Sequence, residues 1–344
     1  MRELIILFLV AFFITLIVTP LARKLALAVG AYDVPKDERK IHTKNMPYFG
    51  GIAIYVSILA CMMVFIDIDK TYTAIIIGMT VLLLAGIMDD MYDMPAKIKL
   101  CFQIIAAVIV VSFGDITIYY LTNPFHSTGI TMLNYLSVPI SVIWIVGITN
   151  AVNLIDGMDG LAAGVSGIAA LTFMVTGLTM NFTVGITLSA IVAGAAVGFL
   201  PHNFFPAKIF MGDAGSMVLG FLLAVIAMLS MVKGVAIITL MVPVFTIGLP
   251  IMDTFCAIIR RLVNKKPISQ PDKEHLHHQL MKRGLNQKQT VLVLYAISIV
   301  LGLIAVIISN LGIFAGEIIG FLVAIVILLL AKKMNLFKKH NLKK

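Results

Sequence analysis

The chain has 344 residues, of which 60% are hydrophobic and 12% charged, with a mean hydropathy of +1.04. These values exclude a soluble globular domain and indicate a polytopic membrane protein. The formal net charge of +9 does not point to nucleic acid: there is no aromatic-interleaved basic patch, and positive charge is expected on cytoplasmic membrane loops.

Apolar runs of membrane length predict an all-α protein with about eleven spans, near residues 3–23, 49–66, 72–88, 98–113, 132–149, 161–180, 183–200, 215–232, 234–258, 290–309 and 313–331. They form a single transmembrane domain, 1–331, followed by a basic tail, 332–344. The first run follows Arg2 without a small-residue cleavage site and reads as a retained helix. With the N-terminus outside and the C-terminus cytoplasmic, every Lys and Arg except Arg2, Lys70 and Lys233 falls on an inner loop or the tail. Cys61, Cys101 and Cys256 lie in apolar runs without metal-ligand spacing and read as buried, reduced thiols. One outer connection, 114–131, alternates apolar and polar residues before Asn-Pro and Thr-Gly steps, which predicts a small hairpin.

The dense polar motifs all fall on five inner loops. The first, 30–48, is rich in charge, most of it ordinary inner-loop charge; Lys40, His42 and Lys44 are candidates for holding a nucleotide diphosphate. Gly50 and Gly51 after it suit close helix packing. The second loop opens with Asp89 and Asp90 and adds Asp93, Lys97 and Lys99. Two carboxylates at the negative end of a helix dipole require a compensating cation or protonation, which favours a site over a stop signal at the membrane edge.

The third loop sets Asn150, Asn153, Asp156 and Asp159 at three-residue spacing, with Gly157 and Gly160 allowing a bend. It can hold a hard cation with phosphates, or simply cap two membrane helices. In the fourth, Asp213 stands at a helix start, where Asp is a common N-cap and where small residues would let phosphate reach backbone N–H groups. The fifth carries Arg260, Arg261, His275, His277 and His278; without companion Cys ligands these histidines suit phosphate recognition or proton transfer better than zinc. Asp253, inside the ninth span, needs a partner, for which Arg260 or Arg261 is available. Glu317 is expected to reach the outer interface.

Four motifs, Asp89-Asp90-x-x-Asp93, Asn150-x-x-Asn153-x-x-Asp156-x-x-Asp159-Gly, Phe210-Met211-Gly212-Asp213-x-Gly215-Ser216 and His275-Leu276-His277-His278, resemble in kind and order those of the polyprenyl-phosphate N-acetylhexosamine-1-phosphate transferases. The resemblance implies a Mg²⁺-dependent reaction, with Mn²⁺ as the alternative ion, in which a lipid phosphate attacks the β-phosphate of a UDP-amino sugar. It implies Asn153 and Asp213 as metal ligands, Asp89 and Asp90 as the catalytic acid pair and Asp156 near the reacting centre. Phe210 would stack on uracil and Asp159 contact the base. Arg261, His275, His277 and His278 would recognise the diphosphate and sugar phosphate, with Asn150 and Asp93 completing the substrate site.

The muramoyl-pentapeptide branch is similar to a pattern with Lys where this chain has Asp93 and with three consecutive histidines. The chain therefore resembles the N-acetylglucosamine-1-phosphate branch, which implies UDP-N-acetylglucosamine and undecaprenyl phosphate as substrates, at the cytoplasmic face of a bacterial inner membrane. That branch starts envelope glycans such as teichoic acid linkage units or the lipopolysaccharide O-antigen. A homodimer is an allowed assembly; nucleic acid is not an expected partner. The rival class, a secondary transporter, would place its ionisable residues near the bilayer midplane.

Overall fold

The structure is a computed structural model that describes residues 1–33, 46–122, 130–180, 183–232, 241–265, 267, 275–311 and 313–333. Lys40, His42, Lys44 and nearly all of the tail lie outside the described residues.

Helix covers most of the described part of each predicted segment. The order is α1 (Arg2–Val29), β1 (Tyr32–Asp33), β2 (Met46–Pro47), α2 (Gly50–Phe65), α3 (Lys70–Tyr92) and α4 (Ala96–Val108), which continues as a π-helical turn over Ile109–Phe113. Next come β3 (Tyr120–Thr122), β4 (Ile130–Met132), α5 (Ser137–Ile155), α6 (Leu161–Met180), α7 (Thr183–Asn203) and α8 (Gly212–Val232). The chain closes with α9 (Met241–Thr246), α10 (Gly248–Val263), α11 (Leu276–Lys282), α12 (Gln287–Ser309) and α13 (Ile313–Lys333). Eight helices are long and apolar enough to cross a membrane, and Gly50–Phe65 and Ala315–Val326 are shorter apolar helices. The protein is thus a mostly helical, polytopic membrane protein.

The predicted ninth segment is not one helix. It breaks at Ile247, between α9 and α10, because Pro250 has no N–H to give the carbonyl four residues back and is tolerated only in the first turn of a new helix. The predicted hairpin forms as β3 paired antiparallel with β4, Leu121 opposite Thr131. A second ribbon, not expected from the sequence, pairs Tyr32 with Pro47 and Asp33 with Met46. Cys61 and Cys256 are buried, but Cys101 is exposed, on the lipid-facing side of an α4 that buries only Gln103, Ala106 and Ala107.

Helix α8 is the axis. Within its candidate span 94% of residues are buried, against 22% for α1, which lies on the outside. It packs against α3 and α5, and also touches α2, α6 and α7, while α1 lies along α7. Backbones approach closely along α1, since a Cβ on Gly194 or Gly198 would collide with the Phe8 or Phe12 carbonyl. Pro20, inside α1, deprives the Leu16 carbonyl of its helical donor. The His202 ring at the end of α7 stands 3.1 Å from that carbonyl through Nε2, so Nε2 carries the proton.

At one end of the bundle the segment before α8 is threaded between α2 and α3. Gly50 and Gly51 donate their N–H groups to the Phe210 and Met211 carbonyls at 3.0 and 2.9 Å, and Phe210 N–H reaches Pro47 O at 2.9 Å. There is no room for side chains here: a Cβ on Gly51 would overlap the Gly215 backbone, and one on Gly86 the Ala214 backbone. Gly51→Leu is therefore expected to abolish the monodisperse, cooperatively melting protein in detergent. Gly147→Ala, a helical position with nothing within 4 Å of the new Cβ, should be neutral or stabilise by up to about 1 kcal/mol. A wild-type melting temperature for Gly51→Leu would contradict this packing.

Candidate active site

The threaded segment brings acids from three helices to the start of α8. Asp90, in the last turn of α3, accepts the Asp213 N–H on Oδ1 at 2.8 Å, so it caps α8 from another helix. This satisfies one of the donors a helix start leaves open and puts a carboxylate at the positive end of the dipole. Gly212 has φ +71, and a Cβ there would strike the Asp90 carboxylate; a glycine is required on both counts. Asp90 Oδ2 is buried and has no partner among the described residues.

Asp89 faces elsewhere. Its Oδ1 accepts the Met94 N–H at 2.7 Å, and its Oδ2 lies 2.7 Å from Lys99 Nζ. The same ammonium is 2.9 Å from Asp213 Oδ2. The two adjacent aspartates therefore do not share one site, as consecutive helical positions cannot; each is joined to Asp213 instead, one through Lys99 and one through the α8 backbone. Lys99 is the compensating cation that the acid pair demanded.

The spacing of the third loop is helical only in part. Helix α5 ends at Ile155, with Asp156 as its C-cap at φ −75, ψ 51. Asn153 donates Nδ2–H to Ser216 Oγ at 2.9 Å, which leaves its amide oxygen as the end available to a ligand. Asp159, past the bend, accepts the Ala207 N–H on Oδ2 at 2.9 Å. Asn203 ties the bend down, taking the Gly160 N–H at 3.0 Å and giving its own N–H to the Ile209 carbonyl at 3.0 Å.

These loops enclose a cleft of about 780 Å³, and Asp156, Asp159, Phe210, Asp213, His277 and His278 of the predicted residues line it. Asp33, Tyr48, Lys208 and Gln287 join them. Tyr48 and Phe210 form one wall, rings 6.3 Å apart and tilted by 49°. Withdrawal from solvent, with Asp213 and Asp159 nearby, raises the Asp156 carboxyl to about 8. At neutral pH and without a cation it therefore carries a proton. Burial, and His278 beside it, lower His277 to about 3, which favours the neutral ring.

Seven of the described predicted residues do not line the cleft. Asp89, Asp90 and Asn153 are joined to its edge at the start of α8, through Lys99, the Asp213 N–H and Ser216; the other four are held elsewhere. Asn150 is held in a reciprocal amide pair with Gln103 between α5 and α4. Asp93 is the exposed C-cap of α3 at φ 52. His275 is turned to Asp253, its Nδ1 2.8 Å from Oδ2, so this buried acid is met by a histidine that the sequence reading assigns to substrate. Arg261 stays on α10, with a buried Nε that has no acceptor among the described residues. Glu317 does not simply reach solvent: its Oε2 is buried without a partner among the described residues.

Lys99 and Ser216 were in view in the sequence, one on the basic side of the turn after Asp93, the other closing the fourth motif. Nothing in their spacing told that Lys99 bridges to Asp213 or that Ser216 orients Asn153. The residues suit a hard cation. Every candidate donor is an oxygen, the Asn153 amide presents its oxygen, and Lys99 already stands between two of the carboxylates. Among the described residues no three His, Cys, Asp or Glu side chains close on one point; a Mg²⁺ here would have few protein ligands and would need water and phosphate to complete its octahedron.

Removing the bridging ammonium should expose this charge imbalance. Lys99→Met is expected to lower the melting temperature in EDTA by several degrees and to be stabilised by millimolar Mg²⁺ more than the wild type is. Equal Mg²⁺ shifts in the two proteins, measured by thermal unfolding in detergent, would contradict the cation reading.

Residues 72–231 match glycosyl transferase family 4. The probable undecaprenyl-phosphate N-acetylglucosaminyl 1-phosphate transferase of Bacillus subtilis strain 168 is 39% identical over 337 residues, covering 98% of this chain and 93% of that protein. The decaprenyl-phosphate N-acetylglucosaminephosphotransferase of Mycolicibacterium smegmatis is 32% identical, covering 86% of this chain and 79% of that protein. The undecaprenyl-phosphate alpha-N-acetylglucosaminyl 1-phosphate transferase of Thermotoga maritima is 28% identical, covering 86% of each chain. With a relative this similar along nearly its whole length, and with three of the four motifs lining one cleft to which the fourth is tied through Lys99 and the Asp213 N–H, the chain belongs to glycosyl transferase family 4, the polyprenyl-phosphate N-acetylhexosamine-1-phosphate transferases.

Proposed function

We propose that the protein transfers N-acetylglucosamine 1-phosphate from UDP-N-acetylglucosamine to undecaprenyl phosphate at the cytoplasmic face of a bacterial cell membrane. The observation that carries this is the junction at the start of α8, where Asp213, in the wall of a cleft large enough for a nucleotide sugar, is tied to Asp90 through its N–H and to Asp89 through Lys99. The names of the relatives support the donor and the acceptor. An oxygen of the lipid phosphate forms a bond to the β-phosphorus, the phosphoanhydride bond breaks, and UMP leaves with the electron pair.

Asp213, Asn153 and Asp156 would hold Mg²⁺, or Mn²⁺ in its place. When bound, the ion neutralises phosphate oxygens and stabilises the charge that develops on the leaving UMP. The chain itself supplies position. The start of α8 would direct its dipole toward the phosphates, Phe210 and Tyr48 would offer flat faces to the base, and His278 and Lys208, which also line the cleft, would meet the diphosphate. Asp89 is fixed by the Met94 N–H and Lys99, so its carboxylate needs no reorganisation when substrates arrive.

Among donors, the compact amino sugar is favoured over the muramoyl pentapeptide by the relatives' names. Asp93, exposed outside the cleft, adds no physical weight to that choice. The transporter reading loses its basis because the joined acids lie at helix ends at one end of the bundle and not midway along interrupted helices.

Purified protein given radiolabelled UDP-N-acetylglucosamine and undecaprenyl phosphate should release UMP and form the lipid-linked diphosphate sugar. Asp213→Asn should fall by about 100-fold or more while its melting temperature is kept. Preferential use of the muramoyl pentapeptide donor would overturn the branch, and uptake of the nucleotide sugar into vesicles without transfer would overturn the reaction.

A further inference from the structure

Asp253 is 4% and His275 6% exposed, and neither lines the cleft. The carboxylate stands against Ile155, Leu161, Leu249 and Leu294, apolar neighbours among which an unpaired charge would be costly. Both of its oxygens are used. Oδ2 meets His275 Nδ1 at 2.8 Å and Oδ1 accepts the Leu276 N–H at 2.8 Å. Asp253 therefore grips α11 twice at its first turn, and α11 is the short helix that carries His277 and His278 into the cleft wall.

The grip is transmitted directly. The His275 and His277 rings are parallel within 3° at 5.9 Å between centroids. The far side of His277 rests on the third loop, where a Cβ on Gly157 would lie 2.9 Å from Nε2. A shift of α11 therefore moves His277 against the residue next to Asp156.

We propose that Asp253 and His275 form a buried brace that seats α11, and that both are positioning residues for His277 and His278 at the diphosphate end of the cleft. His275 belongs to the brace and not to the substrate contacts. This extends, and rests on, the reading of the cleft as a UDP-sugar site, but the brace itself can be measured without turnover.

The test uses the full-length protein in detergent and exploits the two ring nitrogens. An Asn side chain can place an N–H where His275 Nδ1 stands, whereas Gln places one nearer Nε2. Amide hydrogen exchange over residues 276–282 should rise about tenfold in Asp253→Ala and His275→Gln, and stay near the wild-type rate in His275→Asn. The KM for UDP-N-acetylglucosamine should follow the same order, rising about tenfold in the first two with a smaller change in kcat. If Asp253→Ala does not fold, the two His275 variants decide. Unchanged exchange in Asp253→Ala, or better rescue by Gln than by Asn, would overturn the brace and return His275 to the substrate. The exchange pattern in the variants, together with a wild-type protein that transfers no sugar phosphate, would support the brace and refute only the proposed reaction.

Discussion

The charge at the start of α8 is the constraint on which the rest of the structure depends. Asp89, Asp90 and Asp213 are drawn together in a chain that is mostly apolar, where carboxylates are stable only if each finds a donor or a counter-ion. The structure supplies three kinds. Lys99 bridges Asp89 and Asp213, the α8 backbone serves Asp90, and the turn after α3 serves Asp89 through the Met94 N–H. Each solution requires that α3, α4 and α8 meet at one height.

The packing follows from that requirement. Helix α8 must be central to receive helices from several sides, and it is the most buried span. The chain leading into it must pass between α2 and α3, so glycines stand wherever backbone meets backbone. The Gln103–Asn150 amide pair sits one turn from Lys99 on α4 and one turn from Asn153 on α5. It fixes the height of the two helices whose next residues face the acids. Buried amide pairs of this kind are stabilising only when both partners are present, so loss of either residue would be felt at a cleft it does not touch.

Much of this was legible in the sequence, for reasons that differ by element. Apolar runs placed the helices because bilayer thickness sets their length. They missed the break at Ile247, where Pro250 acts within a run that stays apolar. The acids at helix ends were recognisable because charge there is costly, and Gly50 and Gly51 because small residues permit close approach. The spacing of Asn150, Asn153, Asp156 and Asp159 suggested one face, yet the helix ends at Ile155 and Asn150 turns to Gln103. Partners distant in sequence were not legible: neither Lys99 with Asp213, 114 residues apart, nor Asp253 with His275 follows from local pattern. The exposed Cys101 shows the same limit, since hydropathy cannot tell a lipid-facing position from a core one.

The proposed reaction requires a divalent cation beside Asp213 and Asn153. The most direct measurement is an experimental structure with Mn²⁺ and UDP, in which anomalous scattering locates the ion independently of the protein phases. The account predicts one strong peak about 2.2 Å from a carboxylate oxygen of Asp213 and within coordinating reach of the Asn153 amide oxygen, with the diphosphate on its open side. A peak coordinated by the histidines of α11, or UDP bound in the cleft with Lys99 still bridging Asp89 and Asp213 and no ion at Asp213, would contradict it.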